Sequence, residues 1–199
     1  MVGFTCLWLG AVVAAAAEGT CAELDGAKPQ AQMDYLQRDR STLNAACITH
    51  AMFQIAYAPD RQIFDRKAEA IKTLVGYLDY RPPDESKLSR IVSRNRDPYP
   101  ATEALSAMGK VVVPYAIEAI AGSATSDIAR FNATVVIFEI YIREGLPEAI
   151  RVLERAAHAK ESIDWTGSLR LHDAARKTAD TCKGDIVNSC MGALFTREE

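Results

Sequence analysis

The sequence predicts an all-α protein, a short α-solenoid of antiparallel helix pairs with a cysteine-bearing C-terminal helical cap. Three observations predict it. Apolar residues recur at spacings of three and four along most of the chain, the period of helices that each bury one face. Breakers such as Pro59 and Gly109 interrupt those stripes at helix-hairpin intervals. Finally, Pro114, Ala116, Ile117 and Ile120 recur as Pro147, Ala149, Ile150 and Leu153, each 33 positions later. A fixed period of that size is the mark of stacked helical units, none of which buries its apolar face alone.

The elements follow in order. Met1–Ala17 (MVGFTCLWLGAVVAAAA) carries no charge and ends in small residues. It reads as a secretory signal with Ala15-Ala16-Ala17 as the cleavage box before Glu18, although no Lys or Arg precedes the apolar run. The run is too short for a comfortable membrane span, so no stable span is expected in the mature chain. Residues 18–40 are polar and read as an N-terminal arm with at most a helical turn or two. Residues 41–199 read as a single helical-repeat domain. Ser41 is the expected N-cap of a helix whose stripe is Leu43, Cys47, Ile48, Ala51, Met52 and Ile55. After Pro59 and Asp60 a second stripe, Ile63, Phe64, Ile71, Leu74, Val75 and Leu78, predicts the partner in an antiparallel pair.

Residues 81–100 form an insert bounded by Pro82-Pro83 and Asp97-Pro98-Tyr99-Pro100. It holds Arg90, Arg94 and Arg96 and a short predicted helix from Asp84 to Ser93. A second pair is expected from Thr102 to Met108 and Val111 to Ala121, turning at Gly109. A third runs from Asp127 to Glu144 and from Pro147 to His158. In the tail, Asp164 is positioned to cap a helix carrying Trp165, Leu169, Leu171 and Ala175. A last helix, Ile186 to Phe195, is expected to cover the open end of the stack, because terminal units must hide their outer apolar face.

The chain has 199 residues, a formal charge of -3 and a pI near 5.7, which gives no basic footprint for nucleic acid. Beyond Cys6 in the signal, four cysteines remain: Cys21, Cys47, Cys182 and Cys190. An even number in an exported chain points to two disulfides. Of three pairings, the favoured one joins Cys182 to Cys190, with Gly184 turning the chain, and Cys21 to Cys47. One continuous helix would hold the first two sulfurs roughly 12 Å apart and forbid that bond.

Catalytic signatures are missing. His50, His158 and His172 form no HExxH, and His158 with Glu161 is an i, i+3 pair that chance often supplies. His172-Asp173 with Asp164 reads first as an ordinary charged helix surface. Gly109-Lys110 is followed by valines, which excludes a phosphate loop, and no G-x-S-x-G elbow occurs. Glu118, Glu139, Glu144 and Glu148 are spaced as solvated helix faces, not as an acid–base pair. No catalytic residue, metal ligand or cofactor is therefore expected. Asn132-Ala133-Thr134 matches a glycosylation acceptor, but inside an apolar helix where it is inaccessible. Tyr77, Tyr80, Tyr99 and Tyr115, beside the arginines of the insert, are the best interface candidates, against the plainer reading that they close helix-pair rims.

From Ala104 to Ile120 the pattern Ala-Leu, then Met-Gly-Lys, then Val-Pro, then Ile-Glu-Ala-Ile resembles a HEAT or HEAT-like repeat, and the likeness is best over Ala101–Ala157. Arg130, Ala133 and Ile140 fall where such repeats carry an Arg, a small and an aliphatic residue. The insert, the bulky Phe131 and Phe138, and the tail after Ala159 depart from it. The resemblance implies a scaffold that binds a protein or peptide rather than an enzyme. The alternatives are a small helical periplasmic enzyme or ligand carrier, pairing His50 with a carboxylate in a cavity, and a structural envelope protein.

Overall fold

Local capping chemistry decides where the helices of this chain begin, and their small-residue faces decide how they pack. The computed structural model describes residues 21–58, 66–83 and 99–181, which are helix and turn with no strand among them. The helices are α1 (Pro29–Leu36), α2 (Ala45–Ala56), α3 (Lys67–Val75), α4 (Pro100–Met108), α5 (Val113–Ala121), α6 (Asp127–Tyr141), α7 (Leu146–Lys160) and α8 (Trp165–Thr181). The signal segment at 1–17, the Cys182–Cys190 pair, the helices expected at 84–93 and 186–195, Ile63, Phe64 and the three insert arginines lie outside the described residues.

Asn44, not Ser41, caps α2: its side chain accepts from the Ala46 and Cys47 amides. Ser41 sits instead in a 3₁₀ turn, where Asp39 accepts from both its amide and its hydroxyl. Ser126 caps α6 through the Ala129 amide, and Asp164 caps α8 through the Gly167 amide at 2.9 Å, as its sequence position implied. Pro100, Pro114 and Pro147 each stand in the first turn of a helix, where a missing N–H costs nothing.

Most described residues of the α2 and α3 stripes are core, with Leu43 and Val75 partly buried against it. Cys47, Ile48, Ala51, Met52 and Ile55 of α2 are buried, as are Ile71 and Leu74 of α3 and Leu78 beyond it. The expected polar arm is more than an arm. Within it, Leu24, Met33, Tyr35 and Leu36 enter the same core, and Gln32 donates to the Leu24 carbonyl at 2.6 Å. Cys21 is disulfide-bonded to Cys47 with their Cα atoms 5.3 Å apart, pinning this segment to α2.

The pairing of helices differs from the one that sequence spacing suggested. Residues 102–121 do not fold back at Gly109; α4 and α5 run on through one 3₁₀ turn, Gly109–Val112. Gly109 takes φ 74 and ψ -157, a conformation essentially reserved for glycine, so it redirects the run without ending it. The extensive packings join α5 to α6 and α7 to α8, whereas α6 meets α7 over a smaller area. Nor does α2 pack mainly on α3: its chief partners are α1 and α4. The unit boundary is thus displaced by one helix, because breakers mark where a helix changes direction but not which surface it then meets.

The 33-residue recurrence has a physical counterpart. Ala116 and Ala149 are both buried, as are Ile120 and Leu153, while Ile117 and Ile150 are partly covered. It records two helices that start with Pro in the same rotational setting. The run Pro100–Ala121 is also the one described stretch long and apolar enough to cross a membrane, yet it packs on α2, α3, α6 and α8.

Two stability outcomes follow. Replacing Cys21 and Cys47 by Ser reopens a 26-residue separation and should lower unfolding free energy by about 3 kcal/mol, measured by urea titration; an unchanged midpoint would remove the disulfide's assigned role. A Cβ at Gly167 would collide with the Asp164 carboxylate and touch the Ala121 side chain at 3.0 Å. Gly167→Ala and Asp164→Ala should each cost about 1 kcal/mol through the same lost cap. The double variant should then cost no more than the larger single, and strict additivity would contradict a shared cap.

Candidate functional site

The α7–α8 hairpin gathers chemistry that its sequence keeps apart. His158 lies in the last turn of α7, and Glu161 follows immediately after the helix. Asp164 then starts α8, which returns alongside α7 and brings His172 back to the same level. His158 Nδ1 is 2.7 Å from Glu161 Oε1, and His172 Nε2 is 3.6 Å from that same oxygen. The two imidazoles meet edge to face with centroids 5.2 Å apart. On its other side His172 Nδ1 lies 2.7 Å from Glu154 Oε2. The hydrogen bond from His158 is the main cause that holds the Glu161 carboxyl below its ordinary range. Two rings and two carboxylates thus occupy one partly exposed patch. The hairpin is fastened to α5 by Lys160 with Glu118 at 2.9 Å and by Arg170 donating to the Ala121 carbonyl at 2.6 Å.

Beside this group lies an apolar step. Ile163 is 84% exposed, Trp165 61% and Leu169 48%, the first two being the most exposed large apolar residues of the hairpin. Trp165, Leu169 and His172 are four and then three residues apart, so they share one stripe of α8. Leu171 and Ala175 face the opposite way and are buried. Of the residues expected to make one apolar face on this helix, half are therefore core and half are presented to solvent.

The tyrosine candidates fare differently. Tyr77 and Tyr80 are buried, packed edge to face at 5.8 Å. The Tyr77 hydroxyl donates to the Leu36 carbonyl at 2.6 Å, and the Arg40 guanidinium lies 4.3 Å from its ring centroid. Burial pushes the Tyr80 hydroxyl up to about 12. These residues seal α1 and α2 against the segment after α3, so they are not a free interface. Tyr99 and Tyr115 are half-buried. Asn132 is buried and donates to the Leu78 carbonyl at 2.6 Å, so its amide is closed to modification, as its helix position implied.

His50 Nε2 lies 3.3 Å from Asp25, whose side chain is 66% exposed, but the nitrogen itself is buried and makes no hydrogen bond. Of the four helix-face glutamates, three are paired: Glu118 with Lys160, Glu144 with Lys110 at 2.5 Å, and Glu148 with Arg151 and Arg155. Glu139 departs from the expectation of a solvated face. It is half-buried, and desolvation, with Glu103 nearby, raises its pKa above the ordinary 4.5.

Sequence spacing pairs His158 with Glu161 but sets His172 with Asp173 and Asp164 instead. The signal was present in the hairpin geometry: a turn centred near Asp164 sets residues before it opposite residues at a similar distance after it. Comparison of the chain with family models, with curated proteins and with solved structures finds no match in any of the three.

The sign of the Glu139 effect is fixed by its raised folded-state pKa. The unfolded chain releases this proton more readily, so the group favours folding below its ordinary pKa and opposes it as pH rises through and above that value. Glu139→Gln should raise the melting temperature at pH 7, and the gain should fade as pH drops below 4.5. A loss of stability at pH 7 would show that its carboxylate is solvated or paired.

Proposed function

We propose that this chain is an exported helical-repeat module of HEAT-like construction that binds a protein or peptide partner, and that it does so through the α7–α8 hairpin. The observation that carries the reading is the apolar step of Ile163, Trp165 and Leu169, which with Tyr57 are the most exposed large apolar residues among those described. An exposed tryptophan flanked by aliphatic side chains is the type of anchor that dominates binding energy when a partner desolvates it. Exposed polar groups stand on the same hairpin, with Glu161 and His158 a few residues before the step in sequence. Export is supported by the uncharged leader at 1–17 and by the Cys21–Cys47 disulfide, a bond that persists in oxidising compartments.

The partner expected here is a polypeptide segment that offers an apolar side chain to Trp165 and hydrogen-bonding groups to Glu161 and His158. The alternative of a small enzyme or ligand carrier built on His50 draws less support, since the carboxylate nearest His50 belongs to Asp25, whose side chain is 66% exposed.

The test uses a photoreactive phenylalanine analogue placed at Trp165 in one preparation and at Tyr57, an exposed aromatic on α2's far end, in another. Irradiation in the native envelope extract should yield a discrete protein adduct from position 165 and none of that mass from position 57. With the adduct identified and purified, Trp165→Ser should weaken its binding at least tenfold. Identical adduct patterns at the two positions, or unchanged affinity in the variant, would reject the hairpin as the docking face.

A further inference from the structure

We infer that His158, Glu161 and His172 form a binding site for a divalent transition-metal cation of the zinc class, which ties the C-terminal end of α7 to α8. One donor atom from each of the three residues lies within 4.8 Å of the others. The Glu161 Oε1 separations, 2.7 Å to His158 Nδ1 and 3.6 Å to His172 Nε2, bracket the spacing around such an ion. With metal–nitrogen and metal–oxygen bonds of about 2.0–2.2 Å, tetrahedral ligand atoms stand roughly 3.3 Å apart. Small rotations of these partly exposed side chains close that difference.

The hydrogen-bond geometry points the same way. His172 has a carboxylate oxygen near each ring nitrogen: Glu154 at Nδ1 and Glu161 at Nε2. A neutral imidazole has one N–H to give. If Nδ1–H serves Glu154, the bare Nε2 lone pair faces an oxygen lone pair, and only a proton or a metal ion satisfies both. Glu154 then acts as an orienting partner, fixing the tautomer and ring angle and raising the basicity of the ligating nitrogen. Metal-bound histidines are characteristically held in this way.

Donor chemistry selects the ion. Two imidazoles with one carboxylate suit zinc and its first-row neighbours, whereas calcium and magnesium demand oxygen ligands. The open side faces solvent, leaving the remaining coordination positions to water. Because the ligands come from both arms of the hairpin, occupancy opposes separation of α7 from α8.

The site is tested on the full mature chain with its disulfide intact, stripped of metal by a chelator and dialysed. Isothermal titration with zinc should show saturable binding of one ion at this site, and cobalt should develop the visible absorption of a low-coordinate nitrogen–oxygen complex. His172→Gln and Glu161→Gln should each weaken zinc binding at least tenfold, and Glu154→Gln should weaken it tenfold or more through the lost orienting bond. His50→Gln, away from the cluster, should leave it unchanged. Circular dichroism checks that each variant is folded; if His172→Gln is not, His158→Asn, at a residue whose side chain is 66% exposed, removes a ligand in its place. Absence of saturable binding by the unmodified chain overturns the assignment. So does undiminished binding in the folded His172, His158 and Glu161 variants, which would place the ion elsewhere.

Discussion

The run from Pro100 to Ala121 must pack against four other helices, and that constraint organises the molecule. Helices α4 and α5 follow one another along it, and α2, α3, α6 and α8 pack against it. A helix surrounded this closely cannot carry large side chains all round, because neighbouring axes approach to about 8–10 Å. The sequence meets the demand with alanine: Ala101, Ala104, Ala116, Ala119 and Ala121 are all buried. Leu105, Val112, Val113 and Ile120 fill the wider spaces between the neighbours. Gly109 relieves what remains by letting the run change course where α4's neighbours give way to α5's. The apolar character that makes this stretch long and hydrophobic enough for a membrane is thus explained by its burial in protein.

Much of this was legible in the sequence because it is local. The 3.6-residue period marks a buried face whichever surface covers it, so the stripes of α2 and α3 named the core correctly. Caps are equally local, and Asp164 was recognisable from its place before an apolar run. Ser41 was misplaced because Asn44 offered a competing cap three residues on, in phase with the stripe. Partner choice is not local. Gly109 looks the same in a sequence whether it reverses a helix or merely bends it, and the outcome depends on which neighbours cover α4 and α5. The hairpins therefore fell one helix away from where breaker spacing put them, while the recurrence of Pro, Ala and Ile/Leu survived as a shared rotational setting.

Tyrosine placement shows a related limit. Tyr77 and Tyr80 carry the composition of an interface, but each has a hydroxyl whose cost of burial depends on finding an acceptor. The Leu36 carbonyl supplies one to Tyr77 at 2.6 Å, and the Ala45 carbonyl lies 3.5 Å from the hydroxyl of Tyr80. With those partners, burial wins over exposure, and the arginine that stacks on them becomes part of the seal. The same residue types without such carbonyls would have faced outwards. Trp165 is the converse: its position on α8 matched an apolar face, yet the face splits, and α5 and α7 cover only the side bearing Leu171 and Ala175.

Two regions of the fold are consequently unlike. Where α1, α2 and the segment after α3 meet, a disulfide, a cation stacked on aromatic rings and a backbone-bonded tyrosine hold the side chains against one another. The α7–α8 hairpin carries an exposed tryptophan, two imidazoles and two carboxylates, the rings and carboxylates paired with one another. Its attachment to the rest is polar and specific, through Lys160 with Glu118 and Arg170 with the Ala121 carbonyl. A hairpin held in that way is fixed in position without covering its outer apolar surface. That separation of anchoring from covering is what allows Trp165 and Leu169 to stay exposed.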